Sequence, residues 1–215
     1  PVSDGSGNNR DMLIKAANLL AEAGWTVNDG KLVNDSGEQM TVEILLVSPS
    51  FERIAAPIIQ NMEQLGIAAS QRTVETAQYQ ERTQTFDFDI LVASPGMSNS
   101  PGNELRDYWG CESGNTEGGG NTTGICDPVV EDLIEKIIAA PDRENLVAMS
   151  KALDRVLQYS YIAVPQWYIA SFRTAYWDMF GRPETSPMYG VGTGAWWVDP
   201  EKYEAVQAGR ARIGN

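Results

Sequence analysis

Residues 41–93 read TVEILLVSPSFERIAAPIIQNMEQLGIAASQRTVETAQYQERTQTFDFDILVA, and the order of elements in this stretch decides the fold. Thr41 to Val47 is β-branched and apolar, the composition of a strand. Ser50 stands where a helix N-cap belongs, and Phe51, Ile54, Ala55, Ile58, Ile59, Met62 and Leu65 then recur at helical spacing down to Gly66. Pro57 inside this helix is expected to kink it. A strand over Ile67 to Val74, a short helix over Ala77 to Thr83 and an apolar strand Asp89 to Ala93 complete a βαβαβ order. Such alternation predicts an α/β layer around a mostly parallel sheet, with ligands beyond the carboxyl ends of the strands. The loop Ser94 to Asn103 is therefore the first place to look for a site.

Upstream, Leu13, Ala17, Leu20 and Ala21 mark a helix from about Asn9 to Ala23, closed by Gly24. Trp25 to Val47 reads as a hairpin, with Lys31 to Val33 and Thr41 to Val47 flanking the turn Asn34-Asp35-Ser36-Gly37. Downstream, Asp127 caps a helix that has Pro128 at its first position and Val129, Val130, Leu133, Ile134, Ile137 and Ile138 as its stripe. Asp142 caps another, with Leu146, Met149, Leu153, Val156 and Leu157 facing inward. Tyr161 to Thr174 reads as one or two strands interrupted at Pro165. After Asp178 little regular structure is expected until a short helix over Pro200 to Val206, and so long an irregular return suggests a path over another part of a larger protein. The polar, Gly-rich opening from Pro1 to Asn9 likewise looks like the middle of a protein, so the chain is expected to be an excised piece.

The 215 residues suffice for one sizeable core. Sixteen basic against 29 acidic residues give a formal charge of −13 with no basic run, which disfavours nucleic acid and anionic membrane surfaces as partners. No apolar stretch approaches the roughly 18 residues of a spanning helix. Cys111 and Cys126 bracket a segment rich in Gly, Asn, Ser and Thr. A disulfide closing a loop of about 15 residues is the economical reading and would imply an oxidising compartment; two unpaired thiols in a cytosolic protein are the alternative.

There is no histidine, which removes Ser-His-Asp and Cys-His nucleophile systems and His-ligated metal sites. No metal or other cofactor is expected. Gly190 to Ala195 has the letters of a dinucleotide fingerprint, but no strand leads into it and no helix follows, so it reads as a turn. Gly118-Gly119-Gly120 lacks a following Lys-Ser or Lys-Thr and reads as a flexible loop. The carboxylate pairs Asp87 with Asp89 and Glu131 with Asp132 lie at a strand start and on the polar side of a helix, where structural or solvated charges belong. Aromatic residues crowd near loops: Tyr108, Trp109, Trp167, Tyr168, Tyr176, Trp177, Tyr189, Trp196 and Trp197. They suit stacking walls for a small ligand, and for Trp177, Trp196 and Trp197 packing against the rest of a larger chain is an equal reading.

The segments Asn18 to Trp25, Phe86-Asp-Phe-Asp89, Ser100 to Arg106, Asn121 to Pro128, Leu153 to Leu157, Val164-Pro-Gln-Trp167 and Ala175 to Asp178, taken in order, resemble the C-terminal half of family 5 solute-binding proteins. These are the dipeptide, oligopeptide and nickel receptors of ABC importers. Asp4 to Asn8 and Trp196 to Pro200 resemble more narrowly the branch associated with microcin C uptake. The resemblance implies a type II periplasmic-binding-protein-like lobe, α/β, with a mixed, mostly parallel sheet flanked by helices. Residues 1–177 would form the ligand-binding lobe, the third domain of the receptor, and 178–215 an irregular return toward the first. It implies a periplasmic or otherwise extracytoplasmic protein whose partners are a peptide-like solute, the permease subunits and the N-terminal half of the same receptor, and which is not an enzyme. A non-binding interaction domain and a carboxylate-dependent hydrolase are the alternatives. In dipeptide receptors a loop aspartate pairs with the ligand's amino end; here Met97 takes its place, leaving Ser98, Asn99 and Asn103 as neutral hydrogen-bonders, with Tyr108, Trp109 and Trp167 as further expected contacts. The dipeptide branch also carries a disulfide in the loop matching Cys111 to Cys126.

Overall fold

The computed structural model describes residues 5–7, 9–94, 96–185, 187 and 190–213. In place of the single core that the length allows, the chain divides into two compact units, Pro1–Ala163 and Val164–Asn215. The opening residues 1–4 and Asn8, together with Pro95 and Tyr189, lie outside the described residues.

In the first unit, helix α1 (Arg10–Glu22) leads into strands β1 (Thr26–Asn28), β2 (Lys31–Val33) and β3 (Thr41–Leu46). Helix α2 (Glu52–Gln64), strand β4 (Ala68–Thr73), helix α3 (Thr76–Gln84) and strand β5 (Ile90–Leu91) follow. Strand β3 lies between β4 and β5 and is parallel to both, with Thr41 opposite Ala68 and Ile44 opposite both Gln71 and Ile90. Ile44 and Leu46 pack with Ala55, Ile58 and Ile59 of α2. Leu45, on the other face, is 0% exposed; α3 crosses that side, where its Arg82 reaches Glu43 at 2.8 Å. A strand covered on both faces is apolar without alternation, which is why Ile44-Leu45-Leu46 is continuous. Helix α2 runs unbroken through Pro57, and β5 is shorter than the run Asp89 to Ala93 suggested.

The hairpin differs from expectation. Strands β1 and β2 pair antiparallel around Asp29-Gly30, whose φ angles of 48° and 76° make the two-residue turn that a twisted hairpin prefers. The Asn34–Gly37 turn exists, with Asn34 Oδ1 accepting the N–H groups of Ser36 and Glu38, yet beyond it only Val33 and Gln39 bridge. Helix α1 forms where expected but has no buried residue.

A second core is helical. Helices α4 (Glu104–Trp109), α5 (Cys111–Gly114), α6 (Pro128–Ile138) and α7 (Arg143–Tyr159) follow, and Leu105, Val130, Leu133, Ile134, Ile137 and Leu153 interlock among α4, α6 and α7. Asp127 caps α6 through the Val129 N–H, and Asp142 caps α7 through the Asn145 N–H. The Asn145 hydrogen bonds hold the Asp142 carboxyl below its ordinary range.

Cys111 and Cys126 form the disulfide, and the loop it closes is not floppy. Asn121 is 0% exposed; its Nδ2 donates to the carbonyls of Gly110 and Ile125, both at 2.9 Å, and its Oδ1 accepts the Thr123 hydroxyl at 2.8 Å. Asp107 Oδ1 accepts the Gly120 N–H at 3.0 Å. A Cβ on Gly119 would strike the Ser113 carbonyl and one on Gly120 the Asp107 carboxylate, so two of the three glycines expected to be flexible are there for close packing, while Gly118 supplies a left-handed turn.

In the second unit, β6 (Phe180–Gly181) pairs antiparallel with β7 (Trp197–Val198), and α8 (Pro200–Ile213) outruns the helix expected over Pro200 to Val206. Gly190 to Ala195 is a turn: Gly192 is left-handed and Thr193–Ala195 is a single 3-10 turn. The strands expected over Tyr161 to Thr174 do not form. Pro165 offers no N–H, and among the described residues no backbone hydrogen bond joins 162–176 to any other segment. This run leaves Tyr168 90% exposed, with Val164 and Phe172 also open.

The Asn121 network predicts that Asn121→Leu, which leaves the Gly110 and Ile125 carbonyls without donors, destabilises the first unit by roughly 1–3 kcal/mol. Urea unfolding under non-reducing conditions measures it, and an unchanged midpoint would contradict the role given to this side chain.

Candidate functional site

The crossover from β3 to β4 through α2 runs one way, and the one from β4 to β5 through α3 returns across β3. Helices therefore leave on opposite faces, and the crevice between the carboxyl ends of β3 and β5 is the topological switch point. The chain leaving β5 there is the segment flagged in the sequence.

That segment is held at several points. Tyr79 of α3 donates its hydroxyl to the Val92 carbonyl at 3.3 Å, and burial pushes its phenol pKa up. Tyr108 of α4 donates to the Gly96 carbonyl at 3.2 Å. Ser98 Oγ accepts the Ser100 N–H at 3.1 Å, closing a local turn. Arg143, the first residue of α7, donates through Nη1 to the Asn99 carbonyl at 2.6 Å and the Ser100 hydroxyl at 3.1 Å. Farther on, Asn103 Oδ1 accepts from Arg106 Nη1 at 2.8 Å, while Arg106 Nε and Nη2 grip the two Glu135 oxygens at 2.7 Å each.

The expected site residues thus fall into different settings. Met97 is 45% exposed, and Ser98 and Asn99 are exposed beside it. Asn103 is engaged with Arg106, and Tyr108 is half-buried against the loop. Trp109 packs against the helical core. Trp167 belongs to the second unit and is 62% exposed there. Sequence reading missed Tyr79, Arg106 and Arg143. The Asp142 cap marked where α7 begins, but nothing local says that its first side chain reaches back 43 and 44 residues.

The carboxylate pairs are committed elsewhere. Asp87 pairs with Arg82 at 2.8 Å, Asp89 accepts the Glu43 N–H at 2.9 Å, Glu131 accepts the Cys111 N–H at 2.7 Å and Asp132 pairs with Lys136. Among the described residues no cluster of acidic or thiol groups is placed to hold a metal ion, and no helix is long and apolar enough to cross a membrane. A groove of about 480 Å³ between α1 and the end of α2, lined by Leu13, Ile14, Ala17, Asn61 and Gln64, shares no residue with the loop. In the second unit Trp196 meets Tyr176 edge-on with ring centroids 4.9 Å apart, and the Arg182 guanidinium lies 5.4 Å from the Tyr176 centroid and 5.5 Å from that of Trp196.

A parallel βαβαβ layer with an irregular polar loop at its switch point is the architecture of a periplasmic-binding-protein lobe. An oligopeptide ABC transporter periplasmic oligopeptide-binding protein of Thermotoga maritima, solved with mannohexaose bound, matches the fold with a TM-score of 0.67 at 18% identity, over 79% of this chain and 33% of its own. The family model described as bacterial extracellular solute-binding proteins, family 5 middle, matches residues 2–117, more than half of the chain. The chain belongs to that family. Uncharacterized protein y4wM of Sinorhizobium fredii is 45% identical over 92% of the chain and 30% of its own length. The probable peptide-binding protein YejA of Agrobacterium fabrum is 41% identical over 92% of the chain and 32% of its own. The chain thus spans about a third of the length of these relatives.

The Arg106 hydrogen bonds hold the Glu135 carboxyl below its ordinary value of 4.5. A carboxylate lowered on folding adds stability that is present above its unfolded pKa and is lost as pH falls through the folded one. Glu135→Gln should therefore lower the melting temperature more at pH 7 than at pH 3, and only modestly because both side chains are half exposed. An equal loss at both values would show that the ion pair is not what the variant removed.

Proposed function

We propose that this chain is the C-terminal part of an extracytoplasmic receptor that captures peptide-like solutes and delivers them to the permease of an ABC importer. The observation that carries this reading is the anchored loop 96–103 at the switch point, which exposes Met97, Ser98 and Asn99 with no acidic side chain among its residues. Membership of family 5 and likeness to a probable peptide-binding protein support the solute class. On this reading residues 1–177 are the closing lobe, 178–215 return toward the first domain, and the remaining two thirds of the receptor supply the other wall of the cleft. Tyr108 and the accessible edge of Trp109 would flank the ligand with Asn103, and Trp167 stays a contact candidate by its exposure. The backbone of 162–176, without ladder hydrogen bonds among the described residues, and its open aromatic side chains suit a segment that adds to a sheet formed elsewhere in the receptor. The role is binding rather than catalysis, in the periplasm or its equivalent. The branch we favour is the one associated with microcin C uptake, because a loop without a carboxylate is poorly suited to an ammonium group.

Mass spectrometry of solutes released from the full-length receptor should find peptide-like compounds. Met97→Asp in that receptor should improve affinity for free-amine peptides relative to their N-acetylated forms, because the new carboxylate can pair with the ammonium. Unchanged affinities for both, with the fold intact, would remove Met97 from the cleft.

A further inference from the structure

The loop 96–103 has little of its own to stiffen it. Pro101 stiffens its end, but it contains Gly96 and Gly102, holds no buried side chain and makes no ladder hydrogen bonds, so much of its ordering must come from outside. Tyr108 fixes only its start, at Gly96, and the Ser98–Ser100 turn is local. Arg143 reaches its exposed middle, where one guanidinium nitrogen joins the Asn99 carbonyl and the Ser100 hydroxyl and so ties the turn to α7. Helix α7 is a rigid post, capped by Asp142 and packed through Leu153.

Arg143 has no evident use to its own helix. A guanidinium in the first turn faces the positive end of the helix dipole, and both of its described partners are neutral groups on the loop. Its removal should therefore leave α7 intact.

We propose that Arg143 is the positioning residue of the ligand loop: by holding Asn99 and Ser100 against α7 it presents Met97 and Ser98 in a preorganised arrangement, so that binding need not order the loop. This rests on the functional reading above and adds to it a residue outside the loop. Preorganisation of this kind raises affinity by reducing what must be ordered on binding.

The test uses the full-length receptor carrying Arg143→Ala, Arg143→Lys, Ser100→Ala or Met97→Asp, with amide hydrogen exchange over 96–103 in the absence of ligand. The second measurement is retention of a synthetic random hexapeptide library, in free-amine and N-acetylated forms, by the immobilised receptor. Arg143→Ala should speed exchange in the loop by about tenfold, leave α7 amides unchanged and reduce retained peptide by about tenfold. Arg143→Lys, whose ammonium can serve the same two acceptors, should restore part of both. Ser100→Ala should have a smaller effect that is not additive with Arg143→Ala. Unchanged loop exchange in Arg143→Ala would overturn the proposal, as would faster exchange with undiminished retention. In the latter case Met97→Asp separates the causes: altered retention keeps the loop in the cleft and dismisses only Arg143, whereas unaltered retention dismisses the placement of the cleft as well. Failure of the unsubstituted receptor to retain any peptide would overturn the reading on which the proposal rests.

Discussion

Strand β3 is hydrogen-bonded on both edges to parallel neighbours and covered on both faces, and that confinement organises the first half of the chain. Parallel partners cannot be joined by a tight turn, so each connection must carry a crossover. The two crossovers available, α2 and α3, fall on opposite faces because Leu45 needs cover as much as Ile44 and Leu46 do. Once the helices are so placed, the carboxyl ends of β3 and β5 open side by side. The loop after β5 then emerges at that edge, where its backbone and small polar side chains stand clear of the core.

The elements legible in the sequence were those whose signals are local. Periodicity and caps located α1, α2, α6 and α7 to within a residue or two, because an apolar stripe and an Asp before Pro128 or Arg143 act within one turn. What escaped was settled by competition or at a distance. Asp29-Gly30 took the hairpin from Asn34–Gly37 because its two positive φ angles match strand twist more closely. Helix α4, six residues long, is too short for an apolar stripe to announce it, and its Leu105 is drawn in by a core built mostly from α6 and α7. Tyr161 to Thr174 has strand composition, yet composition cannot supply the partner whose N–H and C=O groups would make it one.

The candidate site divides in the same way. Its position was readable from strand order, and Met97, Ser98 and Asn99 could be named as its exposed chemistry. The groups that give the loop a shape, Tyr79, Tyr108, Arg106 and Arg143, come from three helices, and Arg143 is more than 40 residues away. The disulfide loop shows the converse. Its glycines suggested slackness, whereas one buried asparagine and two sulfurs make it among the most constrained stretches in the unit.

The Arg143 fork spans the two cores of the first unit, since its acceptors follow a strand of one and its helix belongs to the other. Helices α6 and α7 are sequence neighbours and can collapse as a local hairpin, while β3 must wait for a strand about 46 residues downstream in the ladder's own pairing. The bond from Arg143 to Asn99 cannot close until both events are complete. The middle of the loop after β5 is therefore pinned to α7 only once both cores are in place.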